Sequence, residues 1–442
     1  MSAENDLRDI AQMAVKGAAQ RGIADAQVTV SKSRSVELTY RNGKPDKVKE
    51  STELSLSISL YDKGKYSTSR SNDMRPAAIE QFLDSAVALT GAMTPDPFRK
   101  ITDPALYKGR SNKDLCLYDP EIRSIDPDMR AKFAQTAERS ALDAAGDRGI
   151  SAEASFEDTE TKIFKLHSNG FEGSTRESQL WLFAEVTLKD KGERRPDGWE
   201  IGGTRFCKKL PDPAAVGIGA FTRAAHRIGA TRLDTTVLPM IIENRAAGRF
   251  LGSLIAATSG RALQQRQSFL ADMQEKKVGS NALTMIDNPF VLEGFGSRLF
   301  DAEGITAKEL PIFEGGVLRN YYVDSYYGKK LKMAPTTGSR SNLVFAPGNQ
   351  SLDKMISKID RGVLVRGFIG GNTNAVTGDF SLGVYGTLIE NGTLTSALSE
   401  LNISGNHKKV WKHLVAAGSD SWMFSSLRVP SLMFDEMQFS GG

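Results

Sequence analysis

The first 230 residues show the same order of predicted elements twice, and this repetition constrains the fold more than any other feature. Over residues 1–95, an amphipathic helical pattern leads into alternating strand-type segments, an Asp-Lys-Gly turn at 62–64 and a closing helix. Residues 124–230 follow the same order, with a second Asp-Lys-Gly turn at 190–192. We therefore predict an internal duplication within an N-terminal α/β domain over residues 1–232. The pattern leaves open whether the two units share one sheet.

Two helices of the second unit have clear start signals. Asp126 precedes Pro127, and Asp212 precedes Pro213. An aspartate side chain accepts hydrogen bonds from the first free N–H groups of a helix, and proline fits the first helical position because its missing N–H is not needed there. We expect helices to begin at both prolines.

The pattern changes in the second half of the chain. A helical stretch from 245 to 265 has one apolar face, and it is followed by short alternating segments separated by Gly, Asn and Asp turns. Frequent turns between short alternating segments are typical of a sandwich or barrel. We predict an α+β protein, in which residues 233–442 form a β-rich, sandwich- or barrel-like domain.

Composition excludes several classes of protein. The 442 residues carry a formal net charge of +4, which is too small to indicate a dedicated nucleic-acid binder. The two cysteines, Cys116 and Cys207, form no CxxC pair, so we expect neither a zinc ribbon nor a disulfide framework. The polar start and the absence of a long apolar run predict no secretory signal and no membrane span. We expect a soluble, cytoplasmic protein.

The usual catalytic patterns are absent from the sequence. The four histidines have no spacing that would place two imidazoles on one helical face, and there is no GxSxG motif. Two features remain. Arg245 and Arg249 lie one helical turn apart, and they form either a solvated face or an anion site. Asp301 and Glu303 would point the same way on an extended segment, either as a carboxylate pair or as a polar strand end.

Three segments of the C-terminal half identify a resemblance. Residues 300–343 read FDAEGITAKELPIFEGGVLRNYYVDSYYGKKLKMAPTTGSRSNL, and residues 367–394 read GFIGGNTNAVTGDFSLGVYGTLIENGTL. Residues 416–441 read AAGSDSWMFSSLRVPSLMFDEMQFSG. Together they resemble the TldD/PmbA family of proteases and modulators of DNA gyrase, and the similarity extends over nearly the whole chain.

The resemblance also implies which kind of subunit this is. In the TldD type, a helix carries the zinc motif HExxxH, and a cysteine near the C-terminus completes the ligands. That motif aligns with residues 244–249, where Asn244 replaces the first histidine, Arg245 the glutamate and Arg249 the second histidine. Residues 418–442 contain no cysteine. A guanidinium cannot deprotonate to bind a metal, so the chain resembles the non-zinc subunit type, called TldE or PmbA, with no cofactor of its own.

The family then implies an activity and partners. The two subunit types form a heterodimeric zinc metalloprotease that cuts unfolded peptides held in an extended form. The TldD-type partner would supply zinc, and this chain would be catalytically inactive alone. The resemblance points to the C-terminal domain as the interface. Arg245, Arg249, Asp301 and Glu303 are the expected contacts to peptide or partner.

Two other interpretations stay open at this stage. The chain could be a non-proteolytic regulatory protein that binds DNA gyrase or another protein, without direct contact to nucleic acid. It could also be a homodimer with a different hydrolytic activity at Asp301 and Glu303.

Overall fold

The N-terminal part of the chain contains four helices and six strands. The computed structural model describes residues 3–441. In chain order the elements are α1 (Ala3–Gln20), β1 (Asp25–Arg41), β2 (Lys44–Asp62), β3 (Lys65–Ser71), α2 (Pro76–Ala92), α3 (Pro127–Ala145), β4 (Gly149–His167), β5 (Glu172–Leu188), β6 (Asp197–Thr204) and α4 (Pro213–Ala225). The order helix, three strands, helix thus occurs twice.

Both units contribute to one antiparallel sheet. Its strand order is β3-β2-β1-β4-β5-β6, and the long central pair β1–β4 joins the two halves. Helix α2 packs on the first half, α1 packs on the central strands β1 and β4, and α3 and α4 pack mainly on the second half. Each half has its own apolar core, one around Leu56 and Ile58 and the other around Phe156 and Leu182. The two units therefore share a single sheet.

The predicted helix starts are confirmed. The Asp126 carboxylate accepts a hydrogen bond from the Met129 N–H at 2.7 Å, and Pro127 opens α3. The Asp212 carboxylate accepts from the Ala214 N–H at 3.2 Å at the start of α4.

The C-terminal part begins with β7 and is dominated by strands. In chain order the elements are β7 (Thr236–Ile242), α5 (Asn244–Ala256), α6 (Gly260–Gln264), β8 (Met285–Asp287), β9 (Leu310–Glu314), β10 (Val317–Leu318), α7 (Ser325–Leu331), β11 (Leu343–Phe345), α8 (Leu352–Ile356), β12 (Arg361–Thr373), β13 (Asp379–Glu390), β14 (Thr393–Asn406), α9 (His407–Val410), β15 (Leu414–Ala417), β16 (Leu427–Arg428) and β17 (Leu432–Gly441).

The larger C-terminal sheet is barrel-like. Its strand order is β14-β13-β12-β7-β17-β15, and a further pairing between β14 and β17 closes the ring. β7 runs parallel to β12 and antiparallel to β17. A separate small sheet has the order β10-β9-β8-β11-β16. The predicted α+β class with a β-rich, barrel-like C-terminal part is confirmed.

Helix α5 is anchored in the barrel by one aromatic side chain. The Phe250 ring is fully buried, and its centroid lies 5.4 Å from that of Phe380, 5.2 Å from that of Trp411 and 5.7 Å from that of Phe434. A fully buried aromatic side chain contributes on the order of 3 kcal/mol from apolar burial alone. This packing fixes the helix that starts at Asn244.

The helix expected over residues 245–265 is interrupted. α5 ends at Ala256, and the Ser259 side chain accepts from the Ala262 N–H at 3.2 Å to start the separate α6. The Gly260 N–H donates to the Tyr322 carbonyl at 2.7 Å, so the backbone turns toward that segment instead of continuing the helix. The helix is therefore shorter than the apolar periodicity indicated, because Ser259 caps a separate helix.

None of the helices within residues 3–441 combines the length and apolar character needed to cross a bilayer.

Candidate functional site: an arginine-rich cavity at the start of helix α5

The three aligned motif positions lie on the first two turns of α5, directly after β7. Asn244, at the first position, is tied to the C-terminal segment. Its side-chain amide donates to the Asp420 carbonyl at 2.5 Å, and its backbone N–H donates to the Ser431 hydroxyl at 3.1 Å. The Asp420 carboxylate in turn accepts from the Ser431 hydroxyl at 2.7 Å. The C-terminal segment therefore closes over the start of the helix.

Arg245, at the second position, is buried and held on three sides. Its side chain is 6% exposed, and its Nη1 donates to the Glu200 carboxylate at 2.6 Å. Its Cζ lies 4.3 Å from the ring centroid of Trp199 and 4.8 Å from that of Trp422. Burial, together with the charge of Arg223, lowers the pKa of Arg245 to about 10, so the group is still a cation at neutral pH.

Glu200 and Glu243 connect Arg245 to two further arginines, Arg223 and Arg366. Arg223 on α4 donates to Glu200 at 3.0 Å and to Glu243 at 3.1 Å. Burial lowers the pKa of the Arg223 guanidinium, but the charges of Glu243 and Glu200 outweigh it and raise that pKa overall. Arg366 on β12 lies 3.7 Å from Glu243, and burial lowers its pKa. Each carboxylate is thus shared between two guanidinium groups.

These side chains line a cavity of about 290 Å³ between β6, α4, α5, β12 and β13. Five arginines contribute to its wall, and we call it the arginine cavity: Arg223, Arg227, Arg245, Arg249 and Arg366. Arg227 pairs with Asp197 at 2.8 Å and lies 4.6 Å from the Tyr385 ring centroid. Arg249, at the third motif position, is exposed, and its guanidinium has no hydrogen bond or ion pair with any residue in the range 3–441. The site is a pocket of fixed cations with one unpaired guanidinium.

The motif positions do not fit a zinc ion. Zinc in proteins is bound by imidazole, thiolate or carboxylate groups, whereas these positions present one amide and two guanidinium groups. The amide nitrogen of Asn244 and the guanidinium of Arg245 are already engaged with protein oxygens. Within the described chain, no group of three or more His, Cys, Asp or Glu side chains is arranged to hold a metal ion.

Of the two interpretations of Asp301 and Glu303, the structure favours a polar strand end before a turn over a carboxylate pair. They lie in a turn, not on an extended segment, and Asp301 accepts hydrogen bonds from the backbone N–H groups of Glu303 (2.9 Å) and Ile305 (3.0 Å). Glu303 accepts from the backbone N–H and the hydroxyl of Ser325, at 2.8 and 2.6 Å. Both carboxylates hold the turn and the start of α7, so they are poor candidates for peptide contacts.

The sequence did not reveal most of the arginine cavity. Glu200, Arg223 and Arg366 are far apart in the chain, and none stands in a recognisable motif. Only Glu243, the residue before the aligned motif, could have been noticed from its position. The cavity is a product of tertiary structure, since it forms where strands and helices of both halves meet.

Two histidines occupy core positions. The His407 ring stacks on Phe269 with centroids 5.4 Å apart, and burial lowers its pKa to about 4. The His167 Nδ1 lies 3.1 Å from the Tyr107 hydroxyl, and burial, followed by the charge of Lys165, lowers its pKa to about 3. Both rings are neutral packing elements, and neither belongs to the arginine cavity.

Comparisons with known proteins identify relatives over most of the chain. The model of the PmbA/TldA metallopeptidase C-terminal domain matches residues 235–441, and that of the PmbA/TldA metallopeptidase domain 1 matches residues 26–90. A Haemophilus influenzae protein named Metalloprotease PmbA homolog is 30% identical, with 99% of this chain and 97% of the relative covered. Metalloprotease PmbA of Escherichia coli O157:H7 is 29% identical, with 94% and 92% covered.

Solved structures share the fold. A candidate modulator of DNA gyrase from Bacteroides thetaiotaomicron has a TM-score of 0.96 at 35% identity, with 100% of both chains covered. TldE from Thermococcus kodakarensis has a TM-score of 0.85 with 99% of both chains covered, and at 18% identity this likeness shows the fold alone. From the full-length identity to the Haemophilus relative and the two matching domain models, we conclude that the chain belongs to the PmbA/TldD family.

Proposed function

We propose that this chain is the non-zinc subunit of a heterodimeric metalloprotease that cuts unfolded or extended peptides. The observation that carries the proposal is the chemistry of the zinc-motif positions, which hold Asn244, Arg245 and Arg249. In this proposal a TldD-type partner supplies the metal, the polarised water and the base. This chain supplies part of the chamber wall and the interface.

The surroundings of Arg245 support the absence of zinc chemistry at this position. The guanidinium is held by its ion pair with Glu200 and by stacking on two tryptophan rings, so it occupies the motif position as a fixed cation. It would also repel a divalent cation at short range. Relatives that match nearly the full length are named metalloproteases. Because the motif positions of this chain present no zinc ligands, we expect the hydrolytic centre in another subunit of the complex.

A peptide in extended form fits the β-rich architecture. Extended peptides are bound mainly through main-chain hydrogen bonds to strands, which gives low dependence on peptide sequence. We place the interface to the partner on the barrel-like C-terminal part. The unpaired thiols of Cys116 and Cys207 are in keeping with a cytoplasmic location.

The test compares the single chain with the reconstituted pair. Metal content is measured by mass spectrometry, and cleavage is followed on an unfolded peptide with and without a zinc chelator. We expect no stoichiometric zinc and no cleavage with this chain alone, and chelator-sensitive cleavage once a TldD-type partner from the same genome is added. As a control, a partner whose motif glutamate is replaced by glutamine should assemble but not cleave. Stoichiometric zinc and chelator-sensitive cleavage by this chain alone would refute the proposal.

A second candidate function is regulation of DNA gyrase through protein contacts. It is favoured by the name of the Bacteroides relative, a candidate modulator of DNA gyrase at 35% identity. Affinity capture from the native organism separates the two functions. Recovery of a TldD-type chain supports the protease subunit, whereas recovery of gyrase subunits without a TldD-type chain supports the regulator.

A further inference from the structure

The arginine cavity carries more positive charge than its own carboxylates balance. Five guanidinium groups line it, while the acidic partners are Asp197, Glu200 and Glu243. Five cations against three anions leave a formal excess of two positive charges. An enclosed space weakens solvent screening, so this excess is costly without an anion.

The excess is concentrated on two groups. Arg249 has no ion pair with any described residue, and Arg366 shares Glu243 with Arg223 at the longer distance of 3.7 Å. Arg366 also donates from Nε to the Thr387 hydroxyl at 3.0 Å. Both arginines therefore keep N–H groups that can bind an incoming anion.

Aromatic rings hold the cavity in shape and provide an apolar wall. Trp199 and Tyr385 each pack against a guanidinium, and Trp199 is still 43% exposed. The Phe368 side chain also lines the wall. The rings stack on Arg227 and Arg245, which fixes these two guanidinium groups in the wall beside Arg249 and Arg366. An anion carried on an organic chain with apolar groups fits this mixed wall better than a small inorganic ion.

We propose that the arginine cavity is a binding site for carboxylate groups of a peptide, with Arg249 and Arg366 as the principal contacts. Carboxylate is the anion because planar guanidinium forks match it with two parallel hydrogen bonds, and the cavity already uses that pairing at Glu200 and Glu243. The peptide as carrier rests on the proposed function, whereas the anion site itself rests on the geometry alone.

The test measures binding to the full chain in the absence of any partner, so it does not depend on cleavage. Fluorescence anisotropy compares three labelled octapeptides of Gly, Ala and Ser. The first ends in Phe with a free carboxylate, the second is its C-terminal amide, and the third is an amide with one internal Glu. We expect the first or third peptide to bind at least tenfold more tightly than the second, and the difference between the first and third identifies the carboxylate source. Equal binding of all three peptides would overturn the proposal.

Variants locate the site. Arg249→Gln, at an exposed position, should weaken binding about tenfold, the size expected for one charge-assisted hydrogen bond. Arg366→Gln should give a similar loss, with urea unfolding as the check that it is folded. Arg261→Gln, at another exposed arginine on α6, is the matched control and should bind like the parent. Parent-like binding by Arg249→Gln, or displacement by inorganic phosphate at concentrations where acetate has no effect, would overturn the carboxylate assignment. If the reconstituted pair does not cleave the peptide while this chain still binds it, that result would instead count against the protease function alone.

Discussion

His407 should make the stability of the barrel depend on pH. Its ring is 1% exposed and packs among Phe250, Phe269 and Phe380. The Trp411 indole N–H donates to its Nδ1 at 3.2 Å, which requires the neutral ring, and within the described residues its buried Nε2 has no hydrogen-bond partner. Protonation would place an unpaired charge in an apolar cluster, which is why burial lowers the pKa of His407 to about 4.

The sign and size of the effect follow from that value. The pKa of the folded state lies below the value of 6.5 for an unperturbed histidine, so the unfolded chain binds the extra proton between about pH 6.5 and 4. The free energy of unfolding therefore falls on acidification through this window and changes no further below it on account of His407. The expected loss is about 2 kcal/mol between pH 8 and pH 5, and about 3 kcal/mol by pH 4.

The measurement is urea unfolding at pH 8, 6.5 and 5, followed by tryptophan fluorescence, to which buried Trp411 contributes. His407→Gln keeps an acceptor near Trp411 and cannot titrate. We expect it to be less stable than the parent at pH 8. Between pH 8 and pH 5 the difference in free energy of unfolding should shift in favour of the variant by about 2 kcal/mol. Because other histidines titrate equally in both proteins, the difference isolates His407. His413→Gln, at a surface histidine 3.0 Å from Asp435, is the control and should keep the part of the pH dependence that comes from His407. A constant stability difference between the parent and His407→Gln across pH would refute the reasoning.

Four further substitutions test the packing of both halves by urea unfolding. Asp158→Asn leaves the guanidinium of Arg130, 6% exposed, without its 2.5 Å ion-pair partner, and should cost about 3–5 kcal/mol; a cost below 1 kcal/mol would contradict this. Gly217→Ala places a Cβ 2.1 Å from a carbonyl oxygen of α3 and should destabilise by about 1–3 kcal/mol. At Gly252 an added Cβ would have no heavy atom within 4 Å, so Gly252→Ala should stabilise the protein by up to about 1 kcal/mol. Equal effects at the two glycines would argue against close α3–α4 packing. Phe250→Ala should cost about 3–5 kcal/mol and, by loosening α5, weaken peptide binding at the arginine cavity; unchanged binding in a folded variant would contradict the coupling.

Local signals predicted the elements well where one residue decided the outcome. Asp126 and Asp212 each accept the hydrogen bond expected of a helix cap, because capping depends on a few neighbouring residues. The sequence predicted a sandwich- or barrel-like domain, but not which strands pair to close it. The pairing of β14 with β17 joins residues 401–404 to residues 438–441, and periodicity carries no information about such partners.

The failures have a common physical cause. The spacing of Asp301 and Glu303 predicted a shared direction only for an extended backbone, and Gly304 at φ +76° helps turn the chain there. The apolar repeat after Arg245 predicted one helix, but a capping serine and a hydrogen bond to a distant strand segment divided it. In both cases hydrogen bonds between a polar side chain and the backbone, at Asp301 and at Ser259, set the local conformation that sequence spacing alone did not predict.

Under the proposed function, Arg245 and Arg249 change the chemistry of the motif positions, while the arginine cavity around them stays positively charged. A zinc ion carries two positive charges, and the arginine cavity carries a formal excess of two, distributed over fixed guanidinium groups. A metal both attracts anions and lowers the pKa of bound water, whereas a guanidinium does only the first, since it neither coordinates water nor accepts a proton. A subunit built this way would keep its attraction for the acidic groups of a peptide and have no means of hydrolysing it. Under the proposed function, the loss of catalysis and the retention of an anion site would be two consequences of the same difference, Arg245 and Arg249 where a TldD-type subunit has a glutamate and a histidine.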